Sequence, residues 1–443
     1  MPESPLIARL ENVPFSRWHA KARIVVGSAT FFDAFNALAL AFALPVLIRS
    51  WHITPAESGF LISASYIGQL AGALLFSALA EKFGRIPSAS AATALMSVMS
   101  LACAIAGSFQ ELLACRLIQG IGVGGEMPVA AAYISELSKA RGRGKFFMLY
   151  EMIFPIGLMA TSQVGASVVP VWGWKAMFLI GGIPGLVITW LLLRLPESPR
   201  WLISKGRVQE AELVVKQIEA ACGVPSHAPA EAGAYAAPER GKWSEVLAPA
   251  YRGRTWIVWT LWATAYFVTN SLNNWMPSLY NTVYRLDLQH ALRAASMTNV
   301  AQVAVLLVCA FCIDRIGRRN WTTTCFVIGG AALAILGLTG AQNVLSVMIL
   351  GTFSYGIIGS VNAVLYLYTA EIYPTRVRAI GTGLATSWLR LASAVGPAIV
   401  GLMVGAEGIR SVFIMFAAIS VIGALASLRM IETRARRLEE IAP

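Results

Sequence analysis

The chain has 443 residues, of which 57% are hydrophobic and only 13% charged, with a mean hydropathy of +0.64. A soluble globular protein carries about 25% charged residues, so this composition excludes an ordinary soluble domain and calls for many membrane-spanning segments. The net charge of +12 would suggest a nucleic-acid partner in a soluble protein, but the distribution of that charge along the chain argues against one.

In chain order, the first 20 residues hold Glu3, Arg9, Glu11 and Arg17 and no apolar run, so no cleavable signal peptide is expected and the first span should direct insertion. Six apolar stretches follow, near residues 22–47, 57–80, 88–108, 112–136, 146–169 and 175–195. Each is long enough to cross a hydrocarbon core of about 30 Å as a helix. Residues 196–253 are polar and rich in Ala, Glu, Lys and Pro, and read as a linker; within it Arg207 to Ala221 has the spacing of an amphipathic helix. Six further spans are predicted near 254–280, 292–313, 321–341, 344–369, 379–404 and 409–429. The predicted organisation is therefore a six-helix bundle over 1–195, a linker over 196–253, a second six-helix bundle over 254–430 and a tail over 431–443. With the N-terminus in the cytoplasm, 27 Lys and Arg fall on the inner side and 5 on the outer side. That asymmetry predicts a multi-pass protein of a bacterial-type inner membrane with both termini cytoplasmic, and it accounts for the positive charge without nucleic acid. The six cysteines give no disulfide framework, and the pair Cys309 and Cys312 has C-x-x-C spacing but no nearby His or further Cys, so it reads as small apolar residues of a helix.

Two motifs recur at nearly one offset. Glu81, Gly84 and Arg85 after the second span are matched 233 positions later by Asp314, Gly317 and Arg318 after the eighth. Glu136, Arg141 and Arg143 after the fourth are matched 235 positions later by Glu371, Arg376 and Arg378 after the tenth. The halves therefore read as parallel repeats about an axis along the membrane normal. The charges of Glu81, Arg85, Arg141 and Arg143 suit an ion-pair network beneath the bundle, with glycine permitting the tight turn.

These residues resemble the major facilitator superfamily over essentially the whole chain, which implies an all-α fold of twelve transmembrane helices in two bundles. Arg116 to Gly122, Pro196 to Leu202 and Tyr368 to Pro374 are similar to the sugar-porter and organic-ion branch. Phe32-Asp33-Ala34, Gly125-Glu126-Met127-Pro128 and Arg390 seven residues before Pro397 look most like bacterial niacin-type carriers and their relatives, the organic anion and cation transporters and synaptic vesicle glycoproteins. Ser77 and Glu81 depart from the usual Gly and Asp of the loop motif.

Ionisable residues inside the spans carry the functional signal, since each costs about 2.5 to 3.5 kcal/mol at the bilayer centre unless paired or facing water. Asp33 and Glu126 are the candidates for proton coupling, with a structural ion pair or hydrogen bond as the alternative reading; Glu151 is left open. By resemblance, Arg116 joins them as a residue linking proton and conformational change, and Arg390 stands where organic-anion carriers have arginine, which implies an anionic substrate. Asn270 and Asn274 with Pro277 mark the seventh span as cavity-lining, and Trp275, Tyr355 and Tyr366 are candidate faces for a planar ligand. No P-loop and no nucleophile or metal grouping is present, so neither a pump, an enzyme nor a cofactor is expected. The function implied is secondary active, proton-coupled uptake of a small aromatic carboxylate such as nicotinate by a monomer. The alternatives are an organic-cation or sugar carrier of the same fold, or a non-transporting sensor.

Overall fold

The computed structural model describes residues 6, 9, 10, 13, 16–137, 152–223 and 243–434, except the side chains of 375, 376 and 379. Among the described residues there are fourteen α-helices and no strand. The first six spans are α1 (Arg17–Trp51), α2 (Pro55–Phe83), α3 (Arg85–Ile105), α4 (Phe109–Leu137), α5 (Ile153–Trp172) and α6 (Lys175–Leu192). Two linker helices follow, α7 (Pro199–Ser204) and α8 (Val208–Ala221). The second set is α9 (Arg252–Thr282), α10 (Leu288–Ile316), α11 (Arg318–Leu338), α12 (Val344–Ile372), α13 (Thr375–Ala406) and α14 (Ile409–Leu428).

Ten of the described helices are long and apolar enough to cross a membrane. The two other long ones, α4 and α9, fall short in apolarity because they carry Arg116, Gln119 and Glu126, and Asn270, Asn273 and Asn274, all but Asn270 buried. Local sequence explains the helix ends. Thr54-Pro55-Ala56-Glu57 starts α2 as a reciprocal cap, with Glu57 N donating to Thr54 Oγ1 at 3.2 Å and Thr54 N donating to Glu57 Oε2 at 2.8 Å. Gly84 and Gly317 end α2 and α10 at φ 113° and 94°, and a Cβ at either would fall on a glutamate carboxylate, Glu197 or Glu432. Only glycine satisfies both conditions.

The halves join through α1 with α9, α2 with α13 and α5 with α10. Their meeting is closest at the end away from Gly84 and Gly317. There a Cβ on Gly59 of α2 would come 2.7 Å from the Pro397 carbonyl of α13, so the two backbones touch directly. Two hydrogen bonds cross between the halves toward that end: Asn274 Nδ2 to Tyr66 OH at 3.1 Å and Gln163 Nε2 to the Ser296 carbonyl at 3.4 Å. Within the first half, Gly68 and Gly72 of α2 lie against the Leu117 and Ile121 carbonyls of α4, and Gly120 and Gly124 of α4 against the Ser65 and Gln69 carbonyls of α2, closer still. The small residues of α4 therefore serve packing, and Phe76 fills the space beside Gly125.

Candidate functional site

Near the middle of the bundle α1, α4 and α13 bring together the charges singled out in the sequence. Asp33 is 2% exposed and its Oδ1 has no hydrogen-bond partner. It lies within electrostatic reach of Glu126 and Arg390. Glu126 is fully buried and accepts from Thr30 Oγ1 of α1 at 3.1 and 3.4 Å. Arg390 sits halfway along α13 and is only half-buried; it donates one long bond, Nη1 to the Thr386 carbonyl at 3.4 Å. A guanidinium has five N–H donors, so most of this fork is open to water or a ligand.

Two tyrosines lie within electrostatic reach of that guanidinium. Tyr266 of α9 and Tyr366 of α12 are its electrostatic neighbours together with Asp33. Trp262 stacks parallel to Tyr266 with ring centres 5.5 Å apart and meets Tyr366 edge-on at 4.6 Å. Its Nε1 donates to Thr369 Oγ1 at 3.0 Å, which fixes the ring. Trp388 instead packs on Trp259, with ring centres 5.6 Å apart.

Asn270 reaches the same region through Ser393, one turn beyond Arg390 on α13, to whose hydroxyl it donates. The remaining sequence candidates lie elsewhere. Asn274 bonds Tyr66 of the other half, and Trp275 Nε1 donates to the Pro397 carbonyl at 3.1 Å, so both belong to the contacts near the closed end. Tyr355 is 2% exposed and its hydroxyl donates to Gln302 Oε1 at 2.8 Å, beside Asn299, which bonds Asn273. Arg116 is also apart. Its Nη1 donates to the Asn36 carbonyl at 3.0 Å and to Gln119 Oε1 at 2.6 Å, and Asn36 Oδ1 accepts from Gln119 and from Ser100. This group ties α1, α3 and α4 together and contains no carboxylate.

The repeated motifs form two matching networks, each within its own half. Arg85 Nη2 meets Glu81 at 2.9 Å and Glu136 at 3.0 Å; Arg318 meets Asp314 at 2.8 Å and Glu371 at 3.0 Å. Arg141, Arg143 and Glu151 lie outside the described residues, as does the side chain of Arg376. Two members were missed from sequence. Glu197 accepts from the backbone N–H groups of Arg85 and Ile86 at 3.0 and 3.2 Å, and Glu432 accepts from those of Arg318 and Arg319 at 3.0 and 3.1 Å. Their separation is again 235, as is that of Tyr133 and Tyr368, which bond Pro196 and Ile431. The common offset was the signal that could have found them.

A family profile described as sugar (and other) transporter matches residues 29–443. The chain belongs to this family, within the major facilitator superfamily. The niacin transporter of Acinetobacter baylyi is 32% identical to it, covering 98% of this chain and 99% of that one. The 4-hydroxybenzoate transporter of Pseudomonas aeruginosa is 26% identical, covering 91% of each. Among solved structures, a xylose transporter of E. coli in a partially occluded inward open conformation matches with a TM-score of 0.75 at 21% identity, covering 95% of this chain and 100% of that one. The protein is thus a multi-pass membrane transporter of a small solute, and its family is one of transporters rather than enzymes.

Proposed function

We propose that this transporter performs proton-coupled uptake of a small aromatic carboxylate such as nicotinate, by alternating access, as a monomer in a bacterial-type inner membrane with both termini cytoplasmic. In that orientation the packed end faces outward. The observation that carries the reading is Arg390: a guanidinium at mid-membrane depth, half-buried, with one weak backbone bond and aromatic faces beside it. Its planar fork fits a carboxylate with two parallel hydrogen bonds, while Tyr266 and Tyr366 supply faces for a ring. The niacin and 4-hydroxybenzoate transporters among its relatives are named for aromatic acids.

Coupling follows from competition. A substrate carboxylate that engages Arg390 removes the cation nearest Asp33 and leaves Asp33 beside Glu126. Two carboxylates sharing a dry site favour taking up one proton. Substrate and proton therefore load together and leave together. Rocking of the parallel halves carries both across.

Binding of nicotinate and nicotinamide to the wild type and to Arg390→Lys tests the reading. Lysine keeps the charge and loses the fork, so the acid should weaken strongly and the amide little; equal losses for both sink it. A second reading, an organic-cation carrier, is favoured by Asp33 and Glu126 being two carboxylates against one guanidinium. The same assay with nicotinate's amine counterpart, 3-picolylamine, distinguishes it.

A further inference from the structure

At the end where the halves are packed, α5 of the first half and α10 and α12 of the second enclose a cleft of about 560 Å³, lined by Gln163, Ser167, Arg293, Ser296, Met297 and Met348 among others. The Gln163 to Ser296 hydrogen bond spans it, so the cleft exists only while the halves are together at this end. Arg293 is exposed and forms no ion pair with any described residue. The one carboxylate between residues 285 and 297, Asp287, is engaged by His290 through both its ring and its backbone N–H. The rim of the cleft therefore keeps positive charge.

Arg293 also heads a file of side chains on α10. Met297, Val300, Leu307 and Phe311 recur at helical spacing and are 50, 37, 43 and 81% exposed, with the exposed Ala304 between them. An exposed apolar file on a membrane helix faces acyl chains. The cleft is thus continuous with the lipid-facing surface, with a cation at its head and polar groups of both halves at the same level.

We propose that the cleft holds a phospholipid with an anionic headgroup: its phosphate on Arg293, a headgroup oxygen on the second Nε2 proton of Gln163, a headgroup hydroxyl donating to Ser167 Oγ, whose own proton goes to the Gln163 carbonyl, and one acyl chain along Met297 to Phe311. Because the lipid touches both halves only when they are packed at this end, it stabilises that arrangement and shifts the conformational balance toward it. This goes beyond the transport reading and does not depend on which solute is carried.

Native mass spectrometry and thermal unfolding of the purified full chain test it, with dioleoyl phosphatidylglycerol, dioleoyl phosphatidylcholine, glycerol 3-phosphate and benzoate as probes. Phosphatidylglycerol should be retained one to one and raise the unfolding midpoint, with phosphatidylcholine and the two soluble anions giving neither. Arg293→Gln should weaken retention about fivefold, the scale expected for one interfacial cation, and Arg293→Lys should restore it. Ala294→Trp, which fills the cleft while keeping Arg293, should abolish it. Equal retention by wild type, Arg293→Gln and Ala294→Trp overturns the proposal. So does a full shift from glycerol 3-phosphate, which makes the site one for free phosphate, or displacement of the lipid by benzoate, which makes it a second site for soluble aromatic anions.

Discussion

Glu197 and Glu432 stand 235 positions apart and do the same thing in the two halves: each carboxylate receives two successive backbone N–H groups at the start of the helix that follows Gly84 or Gly317. These N–H groups have no partner inside their own helix, and a carboxylate there also meets the positive end of the helix dipole.

Replacing either glutamate by alanine should cost about 1 to 2 kcal/mol, the scale of a lost cap, read as a lowered thermal unfolding midpoint. The Glu197 variant carries a pH signature as well. Burial pushes the Glu197 carboxyl above its ordinary range, against the pull of the N–H groups of Ser198, Arg85 and Ile86, and the Glu136 carboxylate adds to the rise. Its protonated form is therefore favoured by the fold: the contribution is fully present below the unfolded value of about 4.3 and is lost as pH rises through the higher folded value. Stability of Glu197→Gln should lack that decline with rising pH; a wild-type slope in the variant would show that another group is responsible.

Arg85 and Arg318 are each shared by two carboxylates, one exposed and one mostly buried. Arg85→Gln or Arg318→Gln should destabilise by about 1 to 3 kcal/mol, because Glu136 or Glu371 is left without its cation. Glu81→Gln, which removes only the exposed partner, should stay within about 1 kcal/mol. Wild-type unfolding of both arginine variants would mark the networks as ordinary solvated charge.

Asp33→Asn keeps the shape and removes the titratable group beside Arg390. Accumulation of nicotinate in proteoliposomes under a pH gradient should fail, while counterflow exchange persists. Unchanged gradient-driven accumulation would move the coupling role to Glu126, to be examined as Glu126→Gln.

Gly59 meets the Pro397 carbonyl with no room for a side chain. Gly59→Val should push α2 and α13 apart and reduce the population packed at that end, seen as longer distances between spin labels there. Identical distance distributions would mean that the helices can repack around the added atoms.

The helices were legible because membrane spans declare themselves by length and apolarity, and the two-half arrangement because Gly84 and Gly317 sit in repeated motifs. Arg390, Asp33 and Glu126 were legible as expensive charges, and the structure gathers them. The partners of neutral polar residues were not: Asn274, Trp275 and Tyr355 each bond a buried group on a neighbouring helix, information held in packing rather than spacing. Thr30 went unnoticed because a single hydroxyl has no periodic signature, whereas Glu197 shares the 235-residue offset with Glu432 and declares itself only when the halves are aligned; the importance of both comes from what is opposite.

The proline of α13 interrupts the hydrogen-bond ladder of its helix. Pro397 has no N–H, so the carbonyl of Ser393 lacks its usual partner in the helix, and the Pro397 carbonyl itself holds Trp275 and lies against Gly59. The helix thus meets α2 and Trp275 at Pro397, while about 10 Å before it along the same helix stands Arg390. The candidate ligand-binding group and the seam between the halves therefore share one helix, with no loop between them.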